Sequence, residues 1–362
     1  GGGGARRGSS HLRVHTRALR DFGLRRQRRD EVGHTTSAAN AARDMSSAPR
    51  RAYVTLLTTD SYGKGVLALQ RSLVAVEAEY PLVVMVTPSV GAEVRASLAA
   101  DGCELRDVAP LELPAGVGGA PSYAVAYFAE CWVKLRMWEW EGEFEQICYL
   151  DADMLVIREI DRLLDEPLAP ATADDSDGPP RVLRAVQECF CPVVERRHLC
   201  AYRCPTQPPP LPYFNAGLLV LRPCTATFAA MRAALCASDL SRFAFAEQDF
   251  LNEYFAGAWQ PLPWVYNASK ALYASHRDDV WDYGQARNLH YTMAKPWDLK
   301  HPCHKGYEKL NELWYAGFSN PESICRLLLQ LHKDDKRRRA ELAAAPAAAA
   351  AILEAAPEGA PG

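Results

Sequence analysis

The sequence has no apolar run long enough to cross a bilayer, and its first residues lack the apolar core of a secretory signal. Neither a membrane-spanning nor a secreted protein is expected; the reading is a soluble, cytoplasmic chain. It has no excess of basic residues either. With 41 Lys and Arg against 44 Asp and Glu, the formal net charge is -3, so no overall positive field draws the chain onto nucleic acid or an anionic membrane. Any polyanion it binds should be small. A closely spaced, even set of cysteines is also missing. The eleven present are an odd count scattered from Cys103 to Cys325, a pattern of reduced thiols and not of a small disulfide scaffold.

What is present is material for a large core. Of 362 residues, 48% are hydrophobic and 23% charged, the composition of a globular α/β chain. Residues 1–50 are rich in Gly, Ser and Arg, including Arg25-Arg26-Gln27-Arg28-Arg29, and have no apolar periodicity. They read as a disordered leader. An organelle transit peptide stays open as an alternative, and Met45 is a candidate start. After Lys336-Arg337-Arg338-Arg339 the chain turns Ala-rich and Pro-punctuated, so 331–362 reads as an Ala/Pro-rich tail or a frayed helix.

Between the two ends strands and helices alternate. Ala52–Leu57 is a buried strand, Val66, Leu69, Leu73 and Val76 fall at helical spacing, and Leu82–Val86 is a second strand. A helix through Val94 and Leu98 leads to a weaker strand over Cys103–Val108. This βαβαβ succession predicts a parallel sheet. A helical stretch over Tyr123–Trp140 then precedes the apolar run Gln146–Leu150, which stops at Asp151.

Asp151-Ala152-Asp153 places two carboxylates two residues apart at a strand end, where extended backbone turns both to one face. Ligands of open parallel sheets bind beyond the carboxyl ends of strands. A hard divalent cation held there can bridge a diphosphate and stabilise the charge left when a sugar–phosphate bond breaks. A solvated pair of turn aspartates is the plain alternative. A phosphatase nucleophile is a second, disfavoured because that motif opens its domain and carries a small residue where Leu155 stands.

At these residues the chain resembles the retaining glycosyltransferase family that contains glycogenin and galactinol synthase, over roughly residues 51 to 318. The resemblance implies a single GT-A type domain over 51–330, with a Rossmann-like, nucleotide-binding mixed sheet flanked by helices. Val54–Gly65 resembles the family's first strand and loop, so Leu56, Thr58, Thr59 and Tyr62 would line a nucleoside pocket. Lys134, Asp151, Ala152, Asp153, Asn215, Ala216 and Lys295 would contact the rest of a UDP-sugar. Asp151, Asp153 and His290 would hold the cation, and the added imidazole shifts the preference towards Mn. Glu247, Gln248 and Asp249 resemble the acidic and amide cluster beneath the sugar. Gln248 would stabilise the oxocarbenium in a front-face route; Glu247, with Asp249 in reserve, would be the nucleophile of a covalent one. Thr292-Met293-Ala294 lacks a glycine that the family carries in this loop.

Gln187–Pro192, with Cys200 and Cys204 after it, resembles an insertion found in galactinol synthases. Cys189, Cys191, Cys200 and Cys204 could hold zinc, but the spacing is not that of a paired ribbon, and reduced buried thiols are the favoured reading. The self-modified tyrosine of glycogenin falls on Ala274, one residue past Tyr273, which favours a soluble acceptor. The resemblance thus implies UDP-galactose or UDP-glucose as donor and a small polyol such as inositol, or a glucan, as acceptor. It implies no nucleic acid and no membrane, and leaves a homodimer open. Glycogenin-like self-glucosylation and a silent sugar-nucleotide-binding scaffold remain as alternatives.

Overall fold

A computed structural model describes residues 49–113, 123, 126–168, 182–203, 212–298, 300–301, 304–320 and 323–354. The leader therefore lies outside the described residues up to residue 48, and so does Cys204. The strands are β1 (Arg50–Leu57), β2 (Leu82–Val86), β3 (Glu104–Asp107), β4 (Phe144–Leu150), β5 (Met154–Val156), β6 (Leu183–Gln187), β7 (Phe214–Leu221), β8 (Trp259–Leu262), β9 (Ala268–Ser269) and β10 (Asn288–His290).

Seven of them form one sheet in the order β3-β2-β1-β4-β7-β6-β8, and three form a second, β5-β10-β9. β1 pairs in parallel with both β2 and β4, while β7 runs antiparallel to β4 and to β6. The sheet is mixed, as the resemblance implies, because the chain after β4 returns along its neighbours. From β1 the chain steps outward to β2 and β3, then crosses back to the other flank of β1 as β4. The carboxyl ends of β1 and β4 thus flank the point where strand order reverses, where open sheets bind ligands.

β1 shows why the sheet is buried on both sides. Ala52, Val54 and Leu56 enter one core cluster and Tyr53 and Leu57 the other, so alternate side chains face two layers of helix. Lys134 comes from the helical stretch Ala126–Trp140, whose Trp132, Leu135, Met137 and Trp138 are buried in the first of these clusters. Among the described residues no helix is long and apolar enough to cross a membrane.

At the carboxyl-terminal end the helical alternative applies, and the boundary expected at residue 330 falls inside a helix. One helix runs Ile324–Glu354, with Leu328 and Leu331 in the third core cluster. Asp335 is 5% exposed and is held by Arg338 at 3.1 Å and Arg339 at 3.4 Å. The basic run that reads as the start of a tail instead neutralises a buried carboxylate one helical turn back.

Candidate active site

The carboxyl ends of β1 and β4 open into a cavity of about 710 Å³. Leu56, Thr58, Thr59 and Tyr62 line it, together with Asp151, Ala152, Asp153, His290 and Lys295 and with Lys134, Asn215, Ala216, Glu247 and Gln248. A smaller cleft on the sheet edge is lined by Arg50, Glu104, Arg106 and Glu143, whose charges pair with one another at 2.7 Å and 2.5 Å.

The acidic pair is arranged by two lysines. Asp151 Oδ1 accepts from the Tyr149 hydroxyl at 2.8 Å and faces Lys134 Nζ at 3.2 Å, while Lys295 Nζ donates to Asp153 Oδ2. One oxygen of each carboxylate is thereby engaged. The other two, Asp151 Oδ2 and Asp153 Oδ1, face His290 Nε2 at 3.8 Å and 3.4 Å.

The tautomer of His290 follows from a relay anchored on a backbone amide. Gly217 N–H donates to Asn215 Oδ1 at 2.9 Å, which leaves the Asn215 amide nitrogen to Glu188 Oε2 at 2.5 Å. Asn267 Nδ2 also donates to Asn215 Oδ1, at 2.9 Å, so Asn267 Oδ1 accepts from His290 Nδ1 at 2.9 Å. A neutral imidazole then turns its Nε2 lone pair towards two carboxylate oxygens. Three lone-pair donors converge, an arrangement that a divalent cation satisfies and that an imidazole fixed through its other nitrogen is suited to complete. The donor set therefore fits the Mn2+ that the resemblance implies.

Burial works against the charge on Lys134, yet Asp151 and Glu247 hold it well above the ordinary lysine range. Its Nζ lies 2.8 Å from Glu247 Oε1 and 3.2 Å from the Ala216 carbonyl. Burial would likewise raise the Asp153 carboxyl, but Lys295 and His290 hold it below the usual carboxylate range. Burial pushes Glu247 up, and Lys134 offsets this only in part. Lys134 therefore stays charged and serves both acids.

One placement differs from expectation. Asp249, the reserve nucleophile, is not among the cavity's lining residues. Its Oδ1 accepts from Arg196 at 2.9 Å and from the Tyr213 hydroxyl at 2.6 Å, and its Oδ2 accepts the Phe245 N–H at 2.8 Å. A carboxylate in the first turn of the helix Glu247–Tyr254 reaches back to an unpaired amide ahead of it, and that local bond turns it away from the cavity. Lys295 does lie on the loop after β10 and lines the cavity, where it is 8% exposed and paired with Asp153.

The missing loop glycine has a structural answer. Met293 takes the left-handed conformation itself, at φ 63°, with its side chain 60% exposed. The turn between His290 and Lys295 is kept although the residue pays the steric cost that a glycine would not.

Gln248 Oε1 accepts the Ala216 N–H at 2.9 Å and its Nε2 donates to the Tyr213 hydroxyl at 3.3 Å, fixing the side-chain amide at the cavity wall. Tyr62 packs edge-on against Trp297, ring centroids 5.5 Å apart, so the loop that carries Lys295 also steadies Tyr62 in the cavity wall. Sequence reasoning missed Glu188, Asn267 and Lys270. Glu188 and Lys270 line the cavity, and Lys270 Nζ donates to the Ala294 carbonyl at 2.8 Å. Nothing local marks them, because each acts through a partner more than twenty residues away.

Residues 53–300 match Glycosyl transferase family 8. Galactinol synthase 6 of Arabidopsis thaliana is 31% identical over 340 residues, covering 86% of this chain and 93% of the relative. Galactinol synthase 1 of Ajuga reptans is 36% identical over 265 residues, covering 68% and 74%. Among solved structures, the galactosyltransferase LgtC, in complex with donor and acceptor sugar analogues, superposes with a TM-score of 0.53 at 21% identity. It covers 73% of this chain and 95% of that one, and the shared fold is the GT-A fold.

Proposed function

The chain belongs to glycosyl transferase family 8, and from that premise we propose that this glycosyltransferase moves galactose from UDP-galactose to a hydroxyl of inositol, with retention and with Mn2+. The observation that carries the reading is the convergence of Asp151 Oδ2, Asp153 Oδ1 and His290 Nε2 at the strand-order reversal, flanked by Lys134 and Lys295. Galactose and inositol are supported by the galactinol synthases to which the chain is similar over most of its length.

Asp151, Asp153 and His290 would hold the Mn2+, which supplies positive charge against the diphosphate leaving group. Leu56, Thr58, Thr59 and Tyr62 receive the nucleoside. Lys295 approaches the diphosphate from the 292–295 turn, and Lys134 holds Glu247 and Asp151 in place. The fixed amide of Gln248 faces the developing positive charge on the sugar. With Asp249 turned away and Glu247 tied to Lys134, a front-face route is favoured. The acceptor oxygen bonds to the anomeric carbon on the side from which the diphosphate departs, and its proton passes to the departing phosphate oxygen.

Self-glucosylation is opposed by the place of Tyr273, which is 3% exposed and does not line the cavity. Trp281 packs on it with centroids 5.0 Å apart, Tyr283 and Tyr307 lie at 6.2 Å, and Arg277 covers its ring. Its hydroxyl cannot meet a donor without disrupting that cluster.

Mass spectrometry of purified protein with Mn and either UDP-galactose or UDP-glucose, against inositol, a glucan primer and buffer alone, tests the reading. A soluble galactosyl-inositol is expected, with the protein's own mass unchanged. Hexose steps on the intact protein, stopped by Tyr273→Phe, would establish a self-glucosylating enzyme instead. Binding without turnover in every arm would establish a silent scaffold.

A further inference from the structure

A second cluster of ligating side chains lies apart from the acidic triad, and it joins residues far apart in sequence. Cys189, Cys191 and Cys200 come from the segment after β6. His276 caps the helix Lys270–Ser275. Their sulfur and nitrogen atoms all lie within 4.8 Å of one another. Cys200 Sγ is 3.8 Å from Cys189 Sγ and 3.7 Å from His276 Nε2, and Cys191 Sγ is 3.2 Å from the same nitrogen.

The two separations at Cys200 match the edges of one coordination polyhedron, and the Cys191–His276 approach of 3.2 Å lies about 0.4 Å inside it. Zinc–sulfur bonds of about 2.3 Å and zinc–nitrogen bonds of about 2.0–2.1 Å at tetrahedral angles give edges of about 3.8 Å between sulfurs and about 3.6 Å between nitrogen and sulfur. A disulfide between Cys189 and Cys200 would instead need its sulfurs at about 2.05 Å.

The surroundings fit a ligand set more closely than a pocket of idle thiols. His276 Nδ1 faces Asp279 Oδ2 at 3.1 Å, so a carboxylate orients the ring and directs Nε2 at the sulfurs, the outer partner that metal-bound imidazoles usually have. The turn Val194–Leu199 folds Cys200 back onto Cys189, and Arg197 Nε donates to the Cys191 carbonyl at 2.8 Å, bringing positive charge towards a set of thiolates. Cys189, Cys200 and His276 are buried, whereas Cys191 is half-buried and gives an ion a way in.

We propose that Cys189, Cys191, Cys200 and His276 form a structural zinc site that fastens the 188–200 segment to the helix carrying Lys270. Loading exchanges three thiol protons for one Zn2+: three zinc–sulfur bonds and one zinc–nitrogen bond form, three S–H bonds break, and the protons leave to solvent. Both fastened elements border the cavity, through Glu188, Phe190 and Val193 on one side and Lys270 and Ala271 on the other. The ion would thus fix the spacing of two cavity walls without taking part in chemistry.

The test is elemental analysis of the full chain after dialysis against Mn-free buffer with EDTA. One zinc per chain is expected, released by p-hydroxymercuribenzoate. Protein grown on cobalt should show tetrahedral d–d bands in the red and a sulfur-to-cobalt charge-transfer band in the near ultraviolet. Cys191→Ser should lose the bound zinc, while Asp153→Asn should keep it, which separates this ion from any at the acidic triad and from the outcome of the transfer assay. If Cys191→Ser does not fold, the cobalt spectrum of the unaltered chain decides. Zinc well below half an equivalent, zinc lost with Asp153→Asn, or a mapped Cys189–Cys200 disulfide would overturn the proposal.

Discussion

Replacing Asp153 by Asn is expected to lower sugar transfer by about a thousandfold or more, the scale of losing a metal's charge stabilisation at the leaving group. The change is isosteric, so the cavity keeps its shape, but the oxygen facing His290 Nε2 at 3.4 Å loses its charge. It also leaves Lys295 buried beside a neutral amide, with the Tyr291 carbonyl at 3.2 Å still accepting from it. Breaking a buried pair from one side costs about 3–5 kcal/mol. Activity and stability should therefore fall together in the single variant and separate in a second one. Asp153→Asn with Lys295→Met removes both charges and should regain most of the lost stability in urea titration, while Mn affinity and transfer stay lost. Mn-dependent turnover surviving in the single variant would remove Asp153 from the metal site. A double variant no more stable than the single would show that the pair itself is not what burial penalises.

The parts of this site legible in the sequence are those where chemistry and local geometry coincide. Asp151 and Asp153 directly follow an apolar strand, as the sequence shows, but it is a turn, closed by the Met154 N–H on the Asp151 carbonyl at 3.1 Å, and not extended backbone that brings them together. His290 ends another short strand and Lys295 follows on the loop after it, and the motif match alone pointed to both. Lys134 was legible by resemblance alone, since nothing in Cys131–Arg136 shows that its ammonium crosses the core to reach Asp151 and Glu247.

What stayed hidden depends on direction and on tertiary partners. Asp249 sits in the same helical turn as Glu247 and Gln248, yet its carboxylate bonds backwards to the Phe245 amide. Sequence spacing does not record that choice. The relay from Gly217 through Asn215 and Asn267 to His290 joins three segments, and nothing in the sequence around Asn267 marks it as a member. His276 lies 76 residues beyond Cys200, so a spacing test designed for short ribbons does not join them. Asp335 was hidden for a related reason: a basic run looks solvated until the buried acid it answers is known.

One methyl group at Gly217 is expected to do nearly as much damage as the loss of Asp153, and for a reason visible only in three dimensions. A Cβ built there would lie 2.5 Å from His290 Cε1, 2.8 Å from Asn215 Oδ1 and 2.9 Å from Asp151 Oδ2. Gly217 lies within β7 and is not among the positive-φ glycines, so an alanine meets no backbone objection. Its whole effect is steric and falls on three members of the cation site at once. None can retreat freely, because His290 is held by Asn267, Asn215 by Glu188 and the Gly217 amide, and Asp151 by Tyr149 and Lys134. Overpacking of this kind costs about 1–3 kcal/mol of stability. Disturbing the partners that orient a metal ligand costs about 10–100-fold in metal affinity or activity, and with two ligands displaced a fall in transfer of about a hundredfold or more is expected. Gly317→Ala is the matched control, since its Cβ would press on Leu155 Cδ1 at 2.5 Å within the apolar core. It should lose comparable stability and keep its Mn affinity. If Gly217→Ala binds Mn and turns over as the unaltered chain does, the ion does not sit between His290 and Asp151, and the assignment of the cation site fails with it.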